Sequence, residues 1–328
     1  MSKKLKTRSV SRFCQRQVLI VILGPTASGK SELAVKMAKK FNGEVISADS
    51  RQVYKGMDIG TGKVTPDTKN SSNFSTGQVK KKYIFIHQGI PHYCIDVASP
   101  KRRFTVAQYR KLAIIAIDKI LRNGKIPILC GGTGFYIQAV VDGIVIPEVK
   151  PDWKLRKKLE RKSVEELYKI LKKLDPKRAK TIEKKNPRRL IRAIEIVMKT
   201  KKPVPPLKFQ HFPYPVLIIG IKKSPEELKK LIKKRFLKWL KVGLIAEVKK
   251  LRKLGLSWRK IEEFGIHYRL MAQYLQEKLN YKEMIENSLK ELYDYACRQM
   301  TWFKRDKRIH WVKNYKESEK LVKEFLEK

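Results

Sequence analysis

The sequence is poor in acidic residues, poor in cysteine and without any long apolar run. Only 31 Asp and Glu stand against 76 Lys and Arg in 328 residues, a formal net charge of +45. So deep a deficit leaves a positive field that concentrates polyanions at the surface, nucleic acid foremost. A compositional bias toward lysine, much of it on helix faces, is the bland alternative source of that charge. The four cysteines, Cys14, Cys94, Cys130 and Cys297, form no C-x-x-C pair. This excludes a cysteine zinc knuckle, offers no disulfide framework and fits a reducing compartment. His87 and His92 lack metal-ligand spacing. No stretch reaches transmembrane length, and basic residues 1–17 contain no apolar segment ahead of a small-residue cleavage site. The expectation is a cytoplasmic protein without membrane association, its residues 1–17 a loose basic leader. No internal repeat is visible. A hydrophobic content of 42% is ample for a packed core.

What is present begins with VLIVIL: Val18 to Leu23 are all aliphatic, as a strand buried on both faces requires. GPTASGKS follows, with Gly24, Pro25, Thr26, Ala27, Ser28, Gly29, Lys30 and Ser31 fitting G-x-x-x-x-G-K-[ST]. In that loop backbone N–H groups cradle a diphosphate or triphosphate. Lys30 can neutralise a terminal phosphate, and the Ser31 hydroxyl can reach a bound Mg²⁺. Leu33, Ala34, Met37 and Ala38 then form the apolar stripe of a helix. Strand, glycine loop and helix occur in the order that a polyphosphate site needs.

A second short strand, residues 44–49, ends in Asp49. A carboxylate beside a phosphate pocket can be a metal partner, a general base or the N-cap of the following turn. Residues 104–123 carry helical periodicity ended by Asn123-Gly124. A third buried strand, 126–130, runs into Gly131-Gly-Thr-Gly134 and lacks the strand-ending Asp of an NTPase. Three strand-then-turn units separated by helices predict a parallel sheet with its sites at the strands' C-terminal ends.

The polar stretch 64–89 reads as a surface excursion, and 152–200 as charged, helical and strand-free. Pro-rich 202–206 is a linker, 216–220 another buried strand, Ser224-Pro-Glu-Glu a helix start, and 308–312 a last strand before a terminal helix. The predicted fold class is α/β: a P-loop NTPase-like parallel sheet core with an inserted all-helical domain. Residues 18–143 and 214–328 make the core and its C-terminal helices; 144–213 make the insertion. Helical spacing favours core packing for Trp239, whereas Trp302, between Arg298 and Lys304-Arg305, suits stacking or core equally.

Six segments together resemble the tRNA dimethylallyltransferases: GPTASGKS, ISADSRQVYKGMDIGTGK (46–63), PHYCID (91–96), PILCGGTGFYIQAVVDG (127–143), NPRRLIRAIEI (186–196) and RQMTWFKRD (298–306). The resemblance implies transfer of a dimethylallyl group from dimethylallyl diphosphate to N6 of adenine 37 beside the tRNA anticodon. It implies that the phosphate loop, Gly24 to Ser31, holds the donor diphosphate with Mg²⁺, and that Arg235 approaches the same group. It makes Asp49 the general base and puts Thr133 beside the reacting adenine. Ser50, Arg51 and Gln52, together with Arg156 and the segment Arg188, Arg189, Leu190, Ile191, Arg192, fall where the family contacts the tRNA anticodon stem-loop. A monomer is expected.

Arg188 stands where the family usually has Gln, and His267 where it usually has Gly before Tyr. Arg188 and Arg192, at i and i+4, share a helix face. The rival role for Arg192 is an internal pair with Glu195. Three rival activities frame the site: prenyl transfer to free adenine nucleotides, a small-molecule P-loop kinase, and an RNA-binding P-loop ATPase.

Overall fold

The computed structural model describes residues 17–67, 85–145, 149–206, 208–210 and 212–328. The basic leader before Gln17 and most of the polar excursion at 64–89 lie outside the described residues. The described chain divides into two compact units, one of residues Met1–Asp142 with His211–Lys328 and one of Gly143–Gln210.

The larger unit begins with β1 (Leu19–Leu23), α1 (Lys30–Lys40), β2 (Gly43–Ser47), β3 (Phe85–His87) and β4 (Ile90–Tyr93). It continues with α2 (Val106–Arg122), β5 (Ile126–Gly131) and α3 (Gly134–Val141). The smaller unit contains β6 (Ile144–Val145), α4 (Trp153–Leu159), α5 (Val164–Leu174), α6 (Pro176–Thr181), α7 (Pro187–Thr200) and β7 (Lys208–Phe209). The larger unit resumes with β8 (Val216–Ile221), α8 (Pro225–Lys241), α9 (Leu244–Lys253), α10 (Trp258–Glu262) and α11 (Ile266–Leu275). It ends with α12 (Tyr281–Phe303), β9 (Ile309–Val312) and α13 (Tyr315–Glu327).

One seven-stranded sheet, in the order β3-β4-β2-β5-β1-β8-β9, organises the larger unit. All of its pairings are parallel except β3 with β4. The uninterrupted apolar sequence of β1 follows from its place at the sheet's centre, between β5 and β8. Leu19, Val21 and Leu23 enter the core on one face, and Ile20 and Ile22 enter the core on the other. Each such side chain, fully buried, contributes about 1.5–3 kcal/mol. The first face also receives α2, α3, α8, α9, α11 and α12, the second α1 and α13. Local signals fix several boundaries. Thr105 and Gln108 close a capping box on α2. Ser224 caps α8 ahead of Pro225, with Glu226 and Glu227 in the first turn, where the helix dipole favours acid.

The smaller unit is helical around a core that includes Leu159, Leu167, Leu171, Leu190 and Ile194. Beyond its helices it carries one short antiparallel ladder, Ile144 with Phe209 and Val145 with Lys208. No described helix is long and apolar enough to cross a membrane.

Candidate functional site

Three chain segments leave the sheet side by side at the C-terminal ends of β1, β2 and β5, and they build one end of the larger unit. The first is the phosphate loop. Ala27 and Gly29 adopt left-handed conformations, φ 64° and 87°, which turn the chain tightly into α1. Gln299, reaching over from α12, receives the Thr26 amide at 2.8 Å and donates to the Gly132 carbonyl at 2.8 Å. It therefore staples the phosphate loop to the loop after β5. Lys30 Nζ donates to its own loop at the Pro25 carbonyl, 3.1 Å away. Burial lowers its pKa, and the Arg235 charge adds to that, against opposing contributions from Cys130 and Asp49.

Asp49 emerges beside this loop because the strand ends approach closely. The Ala48 amide donates to the Cys130 carbonyl at 2.7 Å, and the Thr133 amide to the Ala48 carbonyl at 3.2 Å. A Cβ on Gly131 would stand 2.1 Å from the Ala48 oxygen, so the first glycine of Gly-Gly-Thr is a packing requirement. Asp49 fills one of the roles left open by its sequence position and leaves an oxygen over. Its Oδ1 accepts the amides of Arg51 at 2.8 Å and Gln52 at 3.3 Å, which is the N-cap role. Its Oδ2 has no hydrogen bond among the described residues and is left for chemistry.

A cavity of about 350 Å³ lies between these loops and the C-terminal helices. Thr26, Lys30, Ser31, Asp49, Arg51 and Arg235 all line it. Arg235 Nη2 donates to the Thr26 hydroxyl, and the guanidinium lies over the Trp239 ring, 4.5 Å from its centre. Burial pulls the Arg235 guanidinium down to about 10. One wall is the loop after Met57. Glu247 of α9, buried, accepts the amides of Asp58 at 2.7 Å, Ile59 at 2.7 Å and Gly60 at 3.0 Å, and the Tyr268 hydroxyl at 2.8 Å. The site thus brings together cations, loop amides, one free carboxylate oxygen and hydroxyls. That is a set able to hold a polyphosphate ester and take one proton.

Other expected site residues lie elsewhere or are already engaged. Thr133 does not line the cavity; its hydroxyl accepts the Ser50 amide at 3.0 Å and so orients Ser50. The Gln52 side chain is held at both ends, accepting from Ser47 Oγ at 2.7 Å and donating to the Thr61 and Gly62 carbonyls at 3.2 Å. It shapes the wall of the cavity. Leu190 and Ile191 are corrected outright, since both side chains are in the hydrophobic core of the smaller unit. Arg156 and Arg192 are already engaged: both pair with the fully buried Glu195. Arg156 makes two bonds to it, of 2.8 and 2.6 Å, and Arg192 also donates to the Val149 carbonyl at 3.0 Å. Arg188 and Arg189 remain exposed, Arg189 in a surface pair with Glu183. Trp302 packs on Gly134, whose Cβ would come within 2.3 Å of the indole, and so belongs to the core. Trp239, expected in the core, lines the cavity as well. Tyr295, Arg298 and the Gly265–Tyr268 turn also line it and were missed, although Arg298 and Gln299 both lie in the quoted RQMTWFKRD segment.

Glu195 makes a stability prediction. Burial works to raise its pKa, but hydrogen bonds from Arg156, the Asp152 amide and Arg192 outweigh it and leave the carboxyl below its ordinary value. With a depressed folded pKa, the stabilisation is present above the unfolded value of about 4.3 and is lost as pH falls through the folded one. Glu195→Gln should cost about 3–5 kcal/mol at neutral pH, because two guanidiniums lose their counter-charge. It should also flatten the acid limb of a urea-denaturation pH series; an unchanged acid limb would show that the triad does not carry that stability.

Comparison with known proteins agrees with this geometry. A family model described as IPP transferase matches residues 52–306, and one described as isopentenyl transferase matches residues 17–74. The chain is 39% identical over 315 residues to the tRNA dimethylallyltransferase of Acetivibrio thermocellus, covering 93% of this chain and 95% of that one. It is 39% identical over 329 residues to the tRNA dimethylallyltransferase of Finegoldia magna, covering 95% and 98%. The crystal structure of the tRNA isopentenylpyrophosphate transferase from Bacillus halodurans matches with a TM-score of 0.67 and 33% identity, over 95% of this chain and 97% of that one. A eukaryotic dimethylallyltransferase seen acting on tRNA matches with a TM-score of 0.66 and 26% identity, over 90% and 73%. The chain with this phosphate loop, Gly-Gly-Thr turn and aspartate is thus related to these enzymes over nearly its whole length, and it belongs to the IPP transferase family.

Proposed function

We infer that the chain transfers a dimethylallyl group to tRNA, taking it from dimethylallyl diphosphate and placing it on N6 of adenine 37. The observation that carries this reading is a single cavity lined by Lys30, Ser31 and Arg235 on one hand and by Asp49 on the other. An exocyclic adenine amine is a weak nucleophile, so the electrophile must ionise easily. As the allylic C1–O bond breaks, both electrons leave on the diphosphate. Lys30, Arg235 and the loop amides face the charge that develops there. The N6 lone pair forms the new C–N bond, and the surplus N6 proton passes to the free Asp49 Oδ2. The adenine must leave its stack to reach such a cavity.

Mg²⁺ fits the donor set. The Ser31 hydroxyl is a hard oxygen lining the cavity, with no hydrogen bond among the described residues, and would hold the ion together with oxygens of the diphosphate. When bound, Mg²⁺ would neutralise charge on the departing diphosphate. A tRNA substrate implies a cytoplasmic enzyme, which we take to act as a monomer.

Digestion of the product tRNA and mass spectrometry of its nucleosides and fragments test the placement. Prenylated adenosine should be confined to position 37, and a tRNA with guanosine there should remain unmodified. Label elsewhere would overturn the assignment of the acceptor.

The net charge of +45 makes tRNA affinity steeply salt-dependent. Arg192 being engaged by Glu195, the exposed pair Arg188 and Arg189 is the phosphate-contacting candidate on α7. Replacing both with Gln should reduce the slope of log affinity against log salt by about one to two units. Thermal stability should hardly change, because the Arg189–Glu183 pair is exposed. An unchanged slope would remove the two arginines from the interface.

A further inference from the structure

Two cavity-lining residues, Arg235 and His267, each carry a buried polar nitrogen without a hydrogen-bond partner among the described residues. These are Arg235 Nε and His267 Nε2, both shielded from solvent. They flank the same indole: the Arg235 guanidinium lies 4.5 Å from the centre of the Trp239 ring, and the His267 ring meets Trp239 edge-on at 5.0 Å. An unpaired buried polar group is costly, so two on residues lining one cavity point to a partner that arrives with the ligand.

His267 stands in the first turn of α11, whose N-cap, Gly265, offers no side-chain cap. The first amides of a helix have no intrahelical acceptor, and its N-terminus carries the positive end of the dipole. Gly265, Ile266, His267 and Tyr268 present that end to the cavity that also holds Lys30 and Ser31. Burial, then the neighbouring Arg235 charge, pushes the imidazole down to about 3. It is therefore neutral at physiological pH and can stand beside Arg235 without repulsion, and an acceptor arriving at Nε2 would draw its single N–H to that nitrogen.

We propose that His267 is a second ligand of the donor diphosphate, its Nε2–H donating to an oxygen next to the one that takes the Arg235 Nε–H. The proposal rests on the reading of this cavity as the dimethylallyl diphosphate site. The hydrocarbon part of the donor has no acceptor to offer. A tRNA backbone phosphate has the same oxygen chemistry. Arg235, however, is fastened to Thr26 of the phosphate loop and brings these donors to the diphosphate. Sequence carried one trace of this role: an imidazole where the family usually has glycine.

Calorimetric titration with dimethylallyl diphosphate and Mg²⁺, on the wild type, Lys30→Ala, His267→Phe and His267→Gln, tests it. Wild-type binding that Lys30→Ala weakens is required by the diphosphate reading, and its absence sinks that reading. Given such binding, His267→Phe should weaken the donor by about 10–100-fold, the scale of a hydrogen bond to a charged group, with tRNA affinity unchanged. His267→Gln, whose amide N–H can take the place of Nε2–H, should recover most of the loss. Donor affinity equal to wild type in His267→Phe overturns the proposal, as does a loss confined to tRNA. Should that variant not fold, ¹⁵N NMR of the wild type decides. The His267 Nε2 resonance should shift when Mg²⁺ and inorganic diphosphate are added, and an unmoved resonance overturns the proposal.

Discussion

Asp49→Asn lowers turnover by roughly 10²–10⁴-fold, the scale of a lost general base, and leaves tRNA affinity nearly intact. The expectation is sharp because the two carboxylate oxygens have different work. Oδ1 holds the turn by accepting the Arg51 and Gln52 amides, and an asparagine oxygen can still do that. What Asn cannot do is take a proton at the Oδ2 position. Asp49→Ala loses both functions, so it should show the same kinetic defect plus about 0.5–2 kcal/mol of lost stability, the cost of a missing cap. Single-turnover rates with saturating tRNA measure the first effect and urea denaturation the second. Near-normal turnover in Asp49→Asn would remove Asp49 from the proton transfer.

Lys30→Ala separates the two substrates. Its ammonium meets the Pro25 carbonyl, lies within electrostatic reach of Arg235 and Asp49, and lines the cavity beside Ser31. Removing a preorganised cation from a developing oxyanion costs about 10²–10³-fold in rate. Donor affinity should fall with it, while tRNA affinity, spread over a wide basic surface, should not. Separate titrations with dimethylallyl diphosphate and tRNA check this; an equal loss for both would mean that the phosphate loop does not hold the prenyl donor.

The parts of this molecule that were legible in its sequence are those encoded by neighbours. Val18 to Leu23 announce a central strand because every position is apolar, and GPTASGKS announces its loop because glycine and lysine stand at fixed spacing. Asn123-Gly124 announces a helix end, and Ser224 before Pro225 a helix start. The illegible parts depend on distant partners. Nothing around Asp58, Ile59 and Gly60 shows that Glu247 will collect their amides. The pair of Arg192 with Glu195 stands as a rival reading of one helix, but nothing local shows that Glu195 is fully buried or that Arg156, 39 residues away, joins it. Leu190 and Ile191 sit inside a basic segment, yet their side chains obey the apolar stripe and not their neighbours' charge. Trp239 packs against the core as its helical spacing predicts, and its second role was not legible. A helical aromatic usually packs inward, and here inward is the wall of the cavity.

The central claim, a prenyl transfer to tRNA from a diphosphate donor, is met most directly by one incubation. Dimethylallyl diphosphate labelled in its hydrocarbon part is mixed with the protein, Mg²⁺, bulk tRNA, AMP and ATP, and the products are separated. Label should appear in tRNA with release of an equal amount of diphosphate, and AMP and ATP should stay unlabelled and unhydrolysed. Label on a free nucleotide, or ATP hydrolysis without labelled tRNA, would contradict the account.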